Sequence, residues 1–236
     1  MIVKAHCLLL LLLSFTTAAQ EDAVSVMLSA RQQAIPLIAA SMASSKMAEL
    51  DKALNQGLDA GLTVNEAKEI LVQLYAYTGF PRSLNALNVL MNVTEARKQR
   101  GIKDVAGKEP VQPVPVGDEL RQLGIANQTK ISGGPVQGPL FEFAPAINQF
   151  LQTHLFGDIF ARDNLDWQSR ELATVGALAA TPGVEAQLLS HMRASLRVGL
   201  SSEQLQQVVD MLRDNGEQAA AGRAELALIK AQENRK

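Results

Sequence analysis

A pattern of two apolar helical segments joined by a short break occurs twice in this chain. The first copy runs from Gln33 to Leu62 and the second, 138 residues later, from Glu171 to Leu200. Superposing them sets Gly61-Leu62 on Gly199-Leu200, Leu50 on Leu188, Leu54 on Met192 and Leu58 on Leu196. Those apolar positions recur at helical spacing and mark equivalent core faces. Thr63 with Glu66 and Ser201 with Gln204 add matching capping boxes just after the two glycines. The expectation is an all-α protein of two similar helical units, a pseudo-twofold tandem duplication. Each unit is small for a stable core, so mutual burial is expected too.

Helical periodicity covers most of the rest, and no run alternates polar and apolar residues as a half-buried strand would. The division expected is residues 1–19 as a signal peptide, 20–102 as the first unit, 103–139 as a Pro/Gly-rich linker and 140–236 as the second unit. In the first unit, helices are predicted near Ser25 to Ser44, Ser45 to Ala60, Asn65 to Thr78 and, after the break at Gly79-Phe80-Pro81, Arg82 to Arg100. Pro110, Pro113, Pro115, Pro135 and Pro139 argue against regular helix across most of the linker. In the second unit Ala144 to Leu155 is predicted helical, Asp158 to Asp166 a connection, and Asp166 the cap of a helix that ends at Pro182-Gly183.

Lys4, the apolar run Leu8 to Leu13 and Thr17-Ala18-Ala19 have the order of a signal peptide, and the run is short of the roughly 20 residues that cross a bilayer. A secreted or periplasmic protein with no membrane attachment after cleavage is expected. Cys7, the sole cysteine, falls within that leader, so disulfides, thiolate metal sites and thiol peroxidase chemistry are excluded for the processed chain. Neither HxxxH nor HExxH occurs, and no metal or other cofactor is expected. A net charge of -2 with no basic cluster argues against nucleic acid.

Glu171 and His191 are the candidate catalytic pair. Glu171 enters the apolar run Leu172 to Ala180, where an unpaired carboxylate would hold its proton more tightly and suit proton transfer. Its alternative role is a salt bridge with Arg170 or a favourable charge at a helix start. His191 sits at the edge of a stripe containing Leu188, Leu189 and Met192, where a hydrogen-bonded structural histidine is the alternative. In the first copy Gln33 and Ala53 occupy the two places. His154 and Asp158 are a second histidine and carboxylate, with Asp158 able to orient a histidine or to cap a turn. Tyr77 and Arg82 flank Gly79-Phe80-Pro81, either as a break with core aromatics or as a pocket wall facing a polar ligand.

The segments FEFAPAINQFLQTHLFGDIFARDNLDWQSRELATVGALAA, LLSHMRASLRVGLSSEQL and DAGLTVNEAKEILVQLYAYTGFPRSLNAL together resemble the carboxymuconolactone decarboxylase family, whose helical fold is shared with alkylhydroperoxidase-D-like proteins. The resemblance implies homo-oligomers, with a trimer of tandem units favoured here, and sites near subunit contacts. It also implies a small-molecule substrate and a carboxy-lyase type of enzyme, with His191 and Glu171 as proton donor and relay. His154 and Asp158 would line the same pocket, and Tyr77 and Arg82 from the other unit would hold substrate. The peroxidase branch carries two cysteines before the histidine; Val184 and Gln187 stand there in this chain. A cofactor-independent lyase or isomerase is therefore the leading reading, and a non-catalytic binding or interaction protein on the same fold is the alternative.

Overall fold

The computed structural model describes residues 27–233, and every regular element among them is helical. The signal peptide and Cys7 expected from the sequence lie outside the described residues. Helix α1 (Ala30–Ala43) begins at a capping box in which Ser29 and Gln32 satisfy each other's free backbone amides. It is followed by α2 (Met47–Asp59) and α3 (Val64–Gln73), the latter opened by the expected box of Thr63 and Glu66. The predicted helix from Asn65 to Thr78 breaks at Leu74, leaving α4 (Tyr75–Thr78) as one separate turn. Gly79, at φ 86°, then redirects the chain into α5 (Phe80–Gln99), which starts with Pro in its first turn and two residues before the predicted Arg82.

Between α5 and the second half, the expected linker contains a sixteen-residue helix, α6 (Gly117–Ser132). The prediction fails here because the five prolines flank residues 116 to 134 and none lies within them. Asp118 and Glu119 complement the helix start and Gly133, in the left-handed region, ends it. Two short helices, α7 (Pro139–Phe143) and α8 (Pro145–Phe150), lead into a wider π-helical stretch over Leu151–Ile159. That stretch takes in Asp158, which the sequence reading placed in a connection. The last described elements are α9 (Trp167–Ala180), α10 (Glu185–Arg197), α11 (Ser202–Asp214) and α12 (Gln218–Glu233).

The centre of the fold is the crossing of α1 and α9. They approach closely because Gly176 has no side chain: a methyl there would lie 2.5 Å from the Pro36 carbonyl oxygen. α1 packs on α2, while α2 and α3 pack on α5; α9 packs on α10, while α10 and α11 pack on α12. The same order of partnerships thus occurs in both halves. Leu50, Leu54, Leu58, Leu188 and Met192, expected to form core faces, are all buried in one continuous core that draws on both halves. A smaller cluster around Ile131, Leu155, Phe156, Ile159, Phe160 and Ala194 joins α6 and the π-helical stretch to α10. Gly124 allows this contact, since any side chain there would strike the backbone of Gln152.

Candidate active site

Asp166 accepts a hydrogen bond from the Ser169 backbone amide at 2.8 Å and from the Ser169 hydroxyl at 2.9 Å, which fixes the start of α9. This cap points Glu171 inward one turn later. Its side chain is fully buried, and its Oε2 lies 2.9 Å from Nδ1 of His191, whose side chain is 14 % exposed. The two residues meet because α9 and α10 pack as an antiparallel hairpin across Thr181 to Val184. With the Glu171 oxygen as acceptor, Nδ1–H donates and the ring's other nitrogen, Nε2, is the one left for a ligand. The first-half counterparts cannot do this: Gln33 donates to the Leu28 carbonyl and Ala53 is a core methyl.

Tyr77, on α4, reaches this pair from the first half. Its ring meets the His191 imidazole edge-on, with centroids 5.3 Å apart and planes at 83°. The Tyr77 hydroxyl is buried, and no hydrogen bond of normal geometry reaches it. Thr174 lies nearby, but its hydroxyl already donates to the Arg170 carbonyl and accepts from Gln73. Burial, and then the negative charge of Glu171, hold the phenol's pKa well above the ordinary tyrosine value. Tyr77 is therefore neutral and keeps its proton available as a hydrogen-bond donor. Glu171 Oε1 is likewise buried without a partner.

His154 and Asp158 form a second pair, with Nδ1 to Oδ2 at 2.7 Å, but both side chains are about half exposed. The π-helical stretch sets them four residues apart on one face. The His154 ring lies 5.5 Å from that of Tyr75, which stacks on Phe80 at 4.1 Å. The two histidines thus meet two different tyrosines of α4. Arg82 is directed elsewhere: its guanidinium donates to the Thr78 carbonyl at 3.0 Å and to the Ser45 hydroxyl at 3.3 Å. Glu171, His191 and Tyr77 are brought together; His154 with Asp158 forms its own pair; Arg82 joins neither.

Arg170 does not pair with Glu171, as one sequence reading allowed. It is completely buried and donates to Glu69 at 3.0 Å, Gln73 at 2.9 Å and the Arg162 carbonyl at 2.8 Å. Neighbouring residues on a helix point about 100° apart, so Arg170 faces α3 while Glu171 faces α10. Glu69 also accepts two bonds from Arg162 and one from Asn164. Burial raises its pKa, but the two guanidiniums outweigh this and hold the carboxyl below the usual range. Sequence reasoning missed Glu69 and Gln73. Their signal was there: two polar residues one turn apart on a helix face shared with Ile70 and Leu74. Among the described residues, no group of three or more His, Cys, Asp or Glu side chains is placed to hold a metal ion.

The all-helical fold is consistent with the alkylhydroperoxidase-D-like class. Residues 145–230 match the model of the Carboxymuconolactone decarboxylase family, which supports membership of that family. The match spans α9, α10 and α11, so it contains both Glu171 and His191. No curated protein matches the chain at a significant level.

Proposed function

We propose that this protein is a cofactor-independent lyase or isomerase that acts on a small carboxylated or lactone-type substrate through a Glu171–His191 proton relay. The observation that carries the reading is the 2.9 Å contact between a fully buried carboxylate and a partly exposed imidazole. Glu171 fixes the orientation of the ring, as a carboxylate does for a catalytic histidine. In a decarboxylation the C–COO⁻ bond breaks, carbon dioxide leaves and its electron pair passes into the unsaturated lactone as an enolate. His191, its Nδ1–H held by Glu171, takes a solvent proton at Nε2 and delivers it to carbon, returning to the Nδ1-protonated form. Tyr77, neutral and beside the His191 ring, would donate to the developing oxyanion. His154 with Asp158, open to solvent, would bind the polar end of the substrate. Arg82 would join them only by leaving Thr78 and Ser45.

The test is turnover of carboxylated lactones by the wild type, His191→Ala and Glu171→Gln. Loss of turnover with the fold intact supports the relay. Undetectable turnover in all three, with His191→Ala disrupting the fold, supports the alternative, a binding or interaction protein in which the pair is a structural hydrogen bond. A peroxidase role is not proposed, because Val184 and Gln187 stand at the thiol positions.

Tandem duplication is part of the proposal, supported by the repeated caps and the repeated order of helix partnerships. So is homo-oligomerisation, with a trimer favoured. Leu140, Phe143, Ile147 and Phe150 are all exposed on α7 and α8, which bury no residue of their own within the chain. Sedimentation velocity would detect a trimer, and a monomer at micromolar concentration would exclude it. Export to the periplasm or beyond rests on the leader pattern alone, and no helix among the described residues is long and apolar enough to cross a membrane.

A further inference from the structure

We propose that Gln73 is a positioning residue: it grips the backbone immediately before Glu171 and so holds the carboxylate in register with His191. The proposal rests on the relay described above, but it concerns geometry and can stand or fall separately. Gln73 is completely buried, and its amide makes three bonds across the boundary between the two halves. Its Nε2 donates to the Arg170 carbonyl and to the Thr174 hydroxyl, both at 2.9 Å, and its Oε1 accepts from Arg170 at 2.9 Å.

The Arg170 carbonyl belongs to the peptide group that links Arg170 to Glu171. The Thr174 hydroxyl also donates to that carbonyl, at 2.9 Å. Gln73 and Thr174 therefore clamp one peptide plane from outside the helical hydrogen-bond ladder. Rotation of that plane would swing the Glu171 side chain directly, because it is the plane that precedes the Glu171 Cα. Four residues after Gln73, Tyr77 touches the His191 ring. One short segment of the first half thus contacts the backbone carrying the carboxylate and the ring of the histidine. This gives the first half, which lacks its own acid and base, a defined part in the site. Displacements of about 1 Å in such constellations cost about a hundredfold in rate, so a clamp of this kind has a functional effect as well as a structural one.

The experiment is nitrogen-15 NMR of His191 in the full chain, reading which ring nitrogen carries the proton at neutral pH. Three variants are compared with the wild type: Gln73→Leu, Thr174→Val and Ser83→Ala. Ser83 is a control, since its buried hydroxyl donates to the Leu71 carbonyl within the first half and touches none of the clamp. The proposal expects the wild type to hold the Nδ1-protonated form. Gln73→Leu and Thr174→Val should lose it in favour of a mixture of tautomers, and Ser83→Ala should retain it despite a lower melting temperature. Should Gln73→Leu fail to fold, the milder Thr174→Val decides alone. An unchanged His191 in the folded clamp variants overturns the proposal, as does an equal change in Ser83→Ala. Because no turnover is measured, a retained clamp with an inactive enzyme would refute the relay and leave the clamp in place.

Discussion

Removing the Glu69 carboxylate is the perturbation whose cost is best defined by the structure. Glu69 is 2 % exposed and balances Arg170, which is completely buried, and Arg162, about one-third exposed. In Glu69→Ala, Arg162 can turn to solvent, but Arg170 remains a buried cation with only Gln73 and a carbonyl as partners. Breaking a buried ion pair from one side costs about 3–5 kcal/mol, so Glu69→Ala should lose that much at neutral pH. For a chain of this length that corresponds to a fall of about 6–20 °C in melting temperature. The pH dependence has a definite sign. The folded-state pKa lies below the ordinary 4.5, so its contribution is complete above about pH 4.5 and is lost as pH falls through the folded value. Glu69→Gln should consequently be less stable than wild type at pH 7, and the gap should narrow below pH 4.5. Urea unfolding followed by circular dichroism at pH 7, 5 and 3.5 measures both quantities. A loss under about 1 kcal/mol for Glu69→Ala at pH 7, or a Glu69→Gln gap that stays constant down to pH 3.5, would refute the reasoning.

Three further outcomes are expected. Gly176→Ala places a methyl 2.5 Å from the Pro36 carbonyl oxygen, so the α1–α9 crossing must open; overpacking of this kind costs about 1–3 kcal/mol, and a neutral result in thermal unfolding would disprove so tight a crossing. In Tyr75→Phe, which leaves Tyr77 as the sole tyrosine, alkaline absorbance titration should find no ionisation near the ordinary value of 10.0, and a normal curve in the folded protein would contradict the buried phenol. Thr63→Ala removes one capping box and should cost about 1 kcal/mol by chemical denaturation, with the Glu171–His191 pair unaffected; a loss of several kcal/mol would assign Thr63 a larger role than its cap.

The hairpin bearing the site was legible in the sequence for a physical reason. Both of its ionisable groups are exceptions to an apolar pattern, and the Asp166 cap and the Pro182-Gly183 stop locate its first helix closely. The tyrosines of the first half were marked in the sequence as well, and the structure brings one of them, Tyr77, to the His191 ring. The Glu69–Arg170 pair was not legible, since its partners are 101 residues apart and a polar residue on the apolar face of α3 does not say what it pairs with. Helix α6 is hidden by composition: the segment as a whole is rich in proline, but only the positions of the prolines decide where a helix can run. The π-helical stretch that carries His154 and Asp158 gives no periodicity to distinguish it from α-helix over nine residues. Arg82 illustrates the converse error. Its place beside a chain break suggested a ligand, but a free carbonyl at the end of α4, that of Thr78, satisfies it locally.

Solvent-deuterium incorporation during turnover of a small carboxylated lactone addresses the relay most directly. In heavy water, the wild type should release product with one deuterium at the carbon that lost carbon dioxide. His191→Ala and Glu171→Gln, folded by circular dichroism, should each be slower by about a hundredfold or more, the usual contribution of a positioned acid or base. Deuterated product formed at the wild-type rate by folded His191→Ala would contradict the assignment of this pair as the proton-transfer centre.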